Sequence, residues 1–130
     1  MSNAFAGLET VGSGSYDADD VHFLLRALQI EVTDVQEKER LIQTRQRHYS
    51  EMISQEYAPS DTHKSLYQRA LMQNGARMAA DVQALALALN ERYNGPSIAL
   101  VSFVRAGLPL GVLLRRALLD LGREAAHYGI

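Results

Sequence analysis

A chain of 130 residues, 47% of them apolar and 22% charged, has the make-up of an ordinary globular domain with room for one core. Its formal net charge of −2 argues against a general nucleic-acid or membrane-surface binder, which would be strongly basic. It contains no cysteine, which excludes disulfides, thiolate metal sites and a cysteine nucleophile within these residues, and fits a reducing cytoplasm.

Met1 to Tyr16 is small, polar and rich in glycine, and reads as a flexible tail with neither the basic start nor the apolar run of a secretory signal. No apolar stretch approaches the ~20 residues that span a bilayer. From Asp17 to Gln29 a helix is expected. Val21, Leu24, Leu25 and Leu28 repeat at i, i+3, i+4 and i+7, and Asp17, Asp19 and Asp20 gather where a helix dipole favours anions. A second helix is expected from Thr33 or Asp34 to about Arg47, capped by Thr33, with a weak stripe of Val35, Leu41, Ile42 and Arg45. Pro59-Ser60-Asp61 is a turn signal.

A long helix follows, from about Thr62 to Tyr93. Tyr67, Leu71, Met78, Val82, Leu85, Leu89 and Tyr93 line one face, and Asn94-Gly95-Pro96 stops it. At roughly thirty residues and about 1.5 Å each, that stripe is longer than two short strands can cover, so part of it is expected to meet another chain or a further segment. Ser97 to Val104 reads as a buried strand, Leu108 to Leu121 as a helix ended by Gly122, and Arg123 to Ile130 as a second strand. The expected fold class is α/β: a helical N-terminal extension over residues 17–93, then the opening βαβ unit of a parallel sheet over residues 97–130, with the chain stopping partway through a larger domain.

The strand-to-helix loop, Val104, Arg105, Ala106 and Gly107, carries the clearest chemical suggestion. A tight turn into a helix N-terminus aims backbone N–H groups at the positive end of the helix dipole, where phosphates bind. Ala106 and Gly107 remove bulk, Gly107 permits a positive φ, and Arg105 offers a planar charged fork. The loop is neither a P-loop nor a dinucleotide fingerprint. The alternative is a plain turn with an exposed arginine.

His48-Tyr49-Ser50-Glu51 poses a similar choice. His48 and Glu51 one turn apart suit metal or acid–base chemistry, but from the residues alone a surface helix end is the better reading. No third ligand stands at convincing spacing, and no metal site is predicted. Arg115 and Arg116 either extend the basic loop or lie solvated on the outer face of their helix.

Several stretches in order resemble the StiP-like family of bacterial tellurium-resistance and stress operons, whose members are described both as phosphoribosyltransferase-like and as cysteine proteases. They are Ser13-Gly14-Ser15-Tyr16, Asp20 to Leu25, Lys38-Glu39, His48 to Met52, Glu56 with Pro59, and Val101 to Arg116 with His127-Tyr128. VSFVRAGLPLGVLLRR also resembles the first strand, pyrophosphate loop and helix of type I phosphoribosyltransferases.

The resemblance implies a phosphoribosyltransferase-like fold. It implies that Val104, Arg105, Ala106 and Gly107 hold the pyrophosphate of phosphoribosyl pyrophosphate, with Mg²⁺ as cofactor of that donor. His48 to Glu51 stand as a family motif without an assigned role. The second, ribose-phosphate loop of such enzymes has no counterpart here, and without cysteine a protease reading cannot apply to these residues alone.

Three functions are therefore weighed: a cytoplasmic phosphoribosyltransferase-like protein of a stress-response system, an interaction module that dimerises or docks through its long helix, and a stand-alone phosphate-binding regulator. Neither a membrane nor a nucleic-acid partner is expected.

Overall fold

The computed structural model of the chain describes residues 14–130. The tail expected over residues 1–16 lies mostly outside them, and Gly14 to Tyr16 form a turn. Element order is β1 (His22–Phe23), α1 (Val35–Gln43), a 3₁₀ turn (Tyr49–Glu51), α2 (Asp61–Arg92), β2 (Ser97–Ser102), α3 (Leu108–Asp120) and β3 (Glu124–Gly129). The chain divides into two units. One combines the described residues up to Ala27 with Arg69–Ile130, and the other is Leu28–Gln68. Among the described residues no helix is long and apolar enough to cross a membrane.

The first unit holds a three-stranded parallel sheet in the order β1-β3-β2. The expected α/β class and parallel pairing hold at this level, with β2 and β3 in register from Ser97 opposite Glu124 to Ser102 opposite Gly129. β2 alternates its side chains, so Ile98, Leu100 and Ser102 face inward while Ala99 and Val101 face out. Val82 and Ala86 of α2, Leu114 and Leu118 of α3 and Ile98 of β2 make the core, with Leu89, Leu100, Ala117 and Ala125 packed around it. α3 ends as its sequence implies. Gly122 takes φ 74°, its N–H donates to the Leu119 carbonyl, and the Arg123 N–H donates to that of Leu118, the αL cap that glycine alone adopts without strain.

The segment expected as a helix over 17–29 is not one. The Asp20 N–H closes a turn on the Asp17 carbonyl, β1 follows, and the Leu24 N–H donates to the Gly129 carbonyl. Val21 is buried, whereas Leu24 and Leu28, half of the supposed apolar stripe, are exposed. A parallel ladder to β3 together with burial of Asp20 and Val21 outweighs a helical periodicity that no core accepts. The Phe23 ring lies where a β-carbon on Gly129 would come within 2.7 Å of it, so a glycine in β3 makes room for β1.

In the second unit α1 begins one residue later than Thr33 would place it. Asp34 is the cap, its carboxylate accepting from the Gln36 and Glu37 N–H groups at 2.9 and 3.4 Å. The helix closes at Thr44, and Arg45 takes φ 54°. Val32 and Ile53 form a parallel bridge, with the Thr33 N–H donating to the Ile53 carbonyl at 2.7 Å.

Candidate functional site

The most tightly built polar group in the first unit lies where β2, β3, α3 and the turn before β1 converge. His127, on β3, has no exposed surface. Its Nδ1 lies 3.0 Å from the Asp20 main-chain carbonyl, which can only accept, so Nδ1 carries a proton. Its Nε2 lies 2.9 Å from the Oγ of Ser102, the last residue of β2. That hydroxyl is also 3.1 Å from the Gly107 carbonyl, and its single proton serves one acceptor at a time.

Asp20, its carbonyl spent on His127, turns its buried carboxylate to α3. The Nε of Arg116 donates to Oδ1 at 2.8 Å, Nη2 donates to Oδ2, and Nη1 of Arg115 stands 3.9 Å from Oδ1. The Arg116 guanidinium holds the Asp20 carboxyl below its ordinary value, outweighing the opposing effect of burial. The same pairing raises Arg116 further above its already high value. Arg116 also reaches Asp17 at 3.1 Å. Both arginines are thus turned to the turn before β1, where Arg115 is largely buried while about half of the Arg116 side chain stays in solvent. Tertiary pairing with Asp20, 96 residues earlier in the chain, decides this, and helical position does not.

The Ser102–His127 spacing equals that of a nucleophile and its general base. The surroundings leave no place for a substrate. A β-carbon on Gly111 of α3 would lie 2.2 Å from His127 Nε2 and 2.6 Å from Ser102 Oγ, so the helix backbone already occupies the approach. The group is a brace that ties two strands, a helix and a turn through hydrogen bonds centred on the buried His127 and Asp20.

Beside it runs the loop of Val104 to Gly107, in which the Val104–Arg105 peptide is cis. The Val104 N–H donates to the Ile130 carbonyl, that of Gly107 to Phe103, and that of Leu108 to Arg105. The first ties the loop to the end of β3, and the other two close the turn into α3. Gly107 adopts φ −78°, in the ordinary helical region, so the positive φ expected there is not used. Its small size matters instead, because a β-carbon would come within 3.2 Å of the Phe103 carbonyl and of Ser102. Arg105 and Ala106 are exposed. Arg105 lines a cleft of about 430 Å³ together with Tyr16, Phe23, Val104 and Leu108.

His48 to Glu51 lie in the second unit, on the 3₁₀ turn and not on an α-helix. His48 caps that turn. Its Nδ1 is 2.7 Å from Ser50 Oγ and accepts from the Ser50 N–H at 3.4 Å, and its ring packs 4.4 Å from Tyr49. The Glu51 N–H donates to the His48 carbonyl at 3.0 Å, while the His48 ring bonds Ser50. Among the described residues no group of three His, Cys, Asp or Glu side chains is placed to hold a metal.

Sequence reasoning singled out Arg105 and His48 and passed over Ser102, Gly111 and the pivot role of His127. The available signal was a serine on the inward-facing phase of an apolar strand, with a histidine on the inward phase of the next.

The family described as "Tellurite-like stress resistance cysteine protease StiP" matches residues 14–130. The chain is 55% identical over 118 residues to a protein named "Cysteine protease StiP" from Acinetobacter baylyi (strain ATCC 33305 / BD413 / ADP1). That similarity covers 91% of this chain and 30% of the relative, so the chain spans less than a third of the relative's length. No solved structure matches.

These findings correct the expectation of a phosphoribosyltransferase that binds a pyrophosphate donor through its Val104 to Gly107 loop. The family and the relative are both named for cysteine proteolysis. The stress-resistance side of the resemblance stands: with the family matched from Gly14 to Ile130, this chain belongs to the StiP family.

Proposed function

We propose that the protein serves tellurite-like stress resistance as a StiP protein, and that these residues form framework and do not supply its nucleophile. The observation that carries this reading is the coincidence of a family match over residues 14–130 with a sequence free of cysteine. The nucleophile of a cysteine protease is a thiolate. Any thiol chemistry therefore takes its sulfur from outside these 130 residues. What the segment offers is a parallel sheet locked to α3 and to the β1 turn by the Ser102–His127–Asp20–Arg116 chain of contacts. A rigid support of this kind suits an active site whose reacting groups must be held to a fraction of an ångström.

Disrupting the gene in its host and challenging the cells with tellurite tests the role. Heightened sensitivity, reversed by the intact gene, is the expected result, and unchanged sensitivity overturns the stress-resistance assignment. The purified 130-residue chain is expected to hydrolyse casein no faster than a buffer blank, with or without a reducing thiol. Hydrolysis that follows the protein through purification would place a nucleophile among these residues and sink the framework reading.

A further inference from the structure

Among the described residues of the first unit, helices cover one face of the parallel sheet and none packs on the other. α2 and α3 both pack on the face of Ile98, Leu100 and Ala125. On the opposite face the register sets Val101 of β2 beside Tyr128 of β3, and Tyr128 beside His22 of β1, a row that crosses all three strands. The His22 and Tyr128 rings are 5.9 Å apart, and Ala99 beside Ala126 forms a flat step next to them. Val101 is 61% exposed, and Phe103, just past the end of β2, is 79% exposed.

Parallel sheets occur almost always with both faces covered, because the helical crossovers that link parallel strands lie against them. A β-branched side chain and an aromatic ring in water on the bare face cost free energy that a packed helix would recover. The alanine step lets a helix backbone come close, and the flanking Val101 and Phe103 side chains form an apolar margin. β2 is also an edge strand of the sheet. The occupant is indicated by length, since the related StiP protein is matched over only 30% of its own chain and more than two thirds of it lies beyond the matched stretch.

We propose that the Val101–Tyr128–His22 face seats an amphipathic helix from the portion of a StiP protein that lies outside the stretch matched here. This proposal rests on membership of the family and is independent of whether the protein confers tellurite resistance.

Hydroxyl-radical footprinting, read by mass spectrometry and normalised for the intrinsic reactivity of each side chain, tests it. The 130-residue chain and the full-length Acinetobacter baylyi relative are compared over the peptides that correspond to residues 97–104 and 124–130. Oxidation several-fold slower in the relative at positions 101, 103 and 128, with equal rates in both proteins over the exposed α1 helix, is the expected result. Equal rates at positions 101, 103 and 128 overturn the proposal. Slowing that appears in the 130-residue chain alone as its concentration rises would make a second copy the occupant, and overturns it too. Neither outcome depends on the tellurite phenotype, so the two readings fail separately.

Discussion

Gly111 of α3 and His127 of β3 lie so close that a β-carbon on Gly111 would stand 2.2 Å from Nε2 of the ring. No rotamer change of a fully buried imidazole, already held at both nitrogens, relieves such an overlap. Gly111→Ala is therefore expected to lower the unfolding free energy by about 1–3 kcal/mol or more, as overpacking does. Urea denaturation followed by circular dichroism measures it, and a variant as stable as the parent would show that α3 can slide off the sheet at little cost.

Ser102 and His127 should prove coupled. Ser102→Ala removes the partner of Nε2 in a site without solvent, with an expected loss of about 1–3 kcal/mol for the unsatisfied group. Combined with His127→Gln in a double-mutant cycle, the pair should show an interaction energy of about 0.5–3 kcal/mol. Strict additivity would mean that the 2.9 Å contact contributes nothing to the fold.

The Asp20 carboxylate makes stability depend on acid. Arg116 holds its folded-state value below the ordinary 3.8, so the unfolded chain takes up the proton first as pH falls. The contribution of Asp20 is present in full above about 3.8 and is lost as pH falls through the lower folded-state value. Wild-type and Asp20→Asn proteins should accordingly differ in urea midpoint at pH 7, begin to converge as pH falls past 3.8, and meet below the lower folded-state value. A gap of constant size across that range would remove the ion pair as its cause.

Burial divides the apolar residues of the first unit into two classes. Leu118 is fully buried and Leu71 of α2 is 56% exposed, although both sit on helical apolar stripes. Leu118→Ala should cost about 2–5 kcal/mol. Leu71→Ala should stay within about 0.5 kcal/mol in this chain. Thermal unfolding of the two variants decides it, and equal losses would mean that the exposed stripe of α2 is covered in solution.

In the second unit the cap of α1 is a local device with a local cost. Asp34→Ala should weaken the helix by about 1 kcal/mol, since it strips the acceptor from the Gln36 and Glu37 N–H groups. Faster amide exchange at Gln36 and Glu37 is the direct readout, and unchanged exchange would assign the helix start to some other contact.

What the sequence determined by itself is whatever depends on neighbours a few residues away. The long helix of Asp61–Arg92, the stop at Asn94-Gly95-Pro96, the β2–α3–β3 order and the αL cap at Gly122 follow from periodicity and turn chemistry that act within one or two turns of chain. The tertiary structure alone decided the rest. His22–Phe23 becomes a strand because β3, more than 100 residues later, offers it a ladder, and an i, i+3, i+4 stripe has no power to refuse that. Much of the α2 stripe stays exposed because the core is met mainly by Val82, Ala86 and Leu89. Ser102, Gly111 and His127 acquire meaning only when two strands and a helix stack them, since the fit of a glycine beneath an imidazole is a distance between elements and has no signature in spacing along the chain.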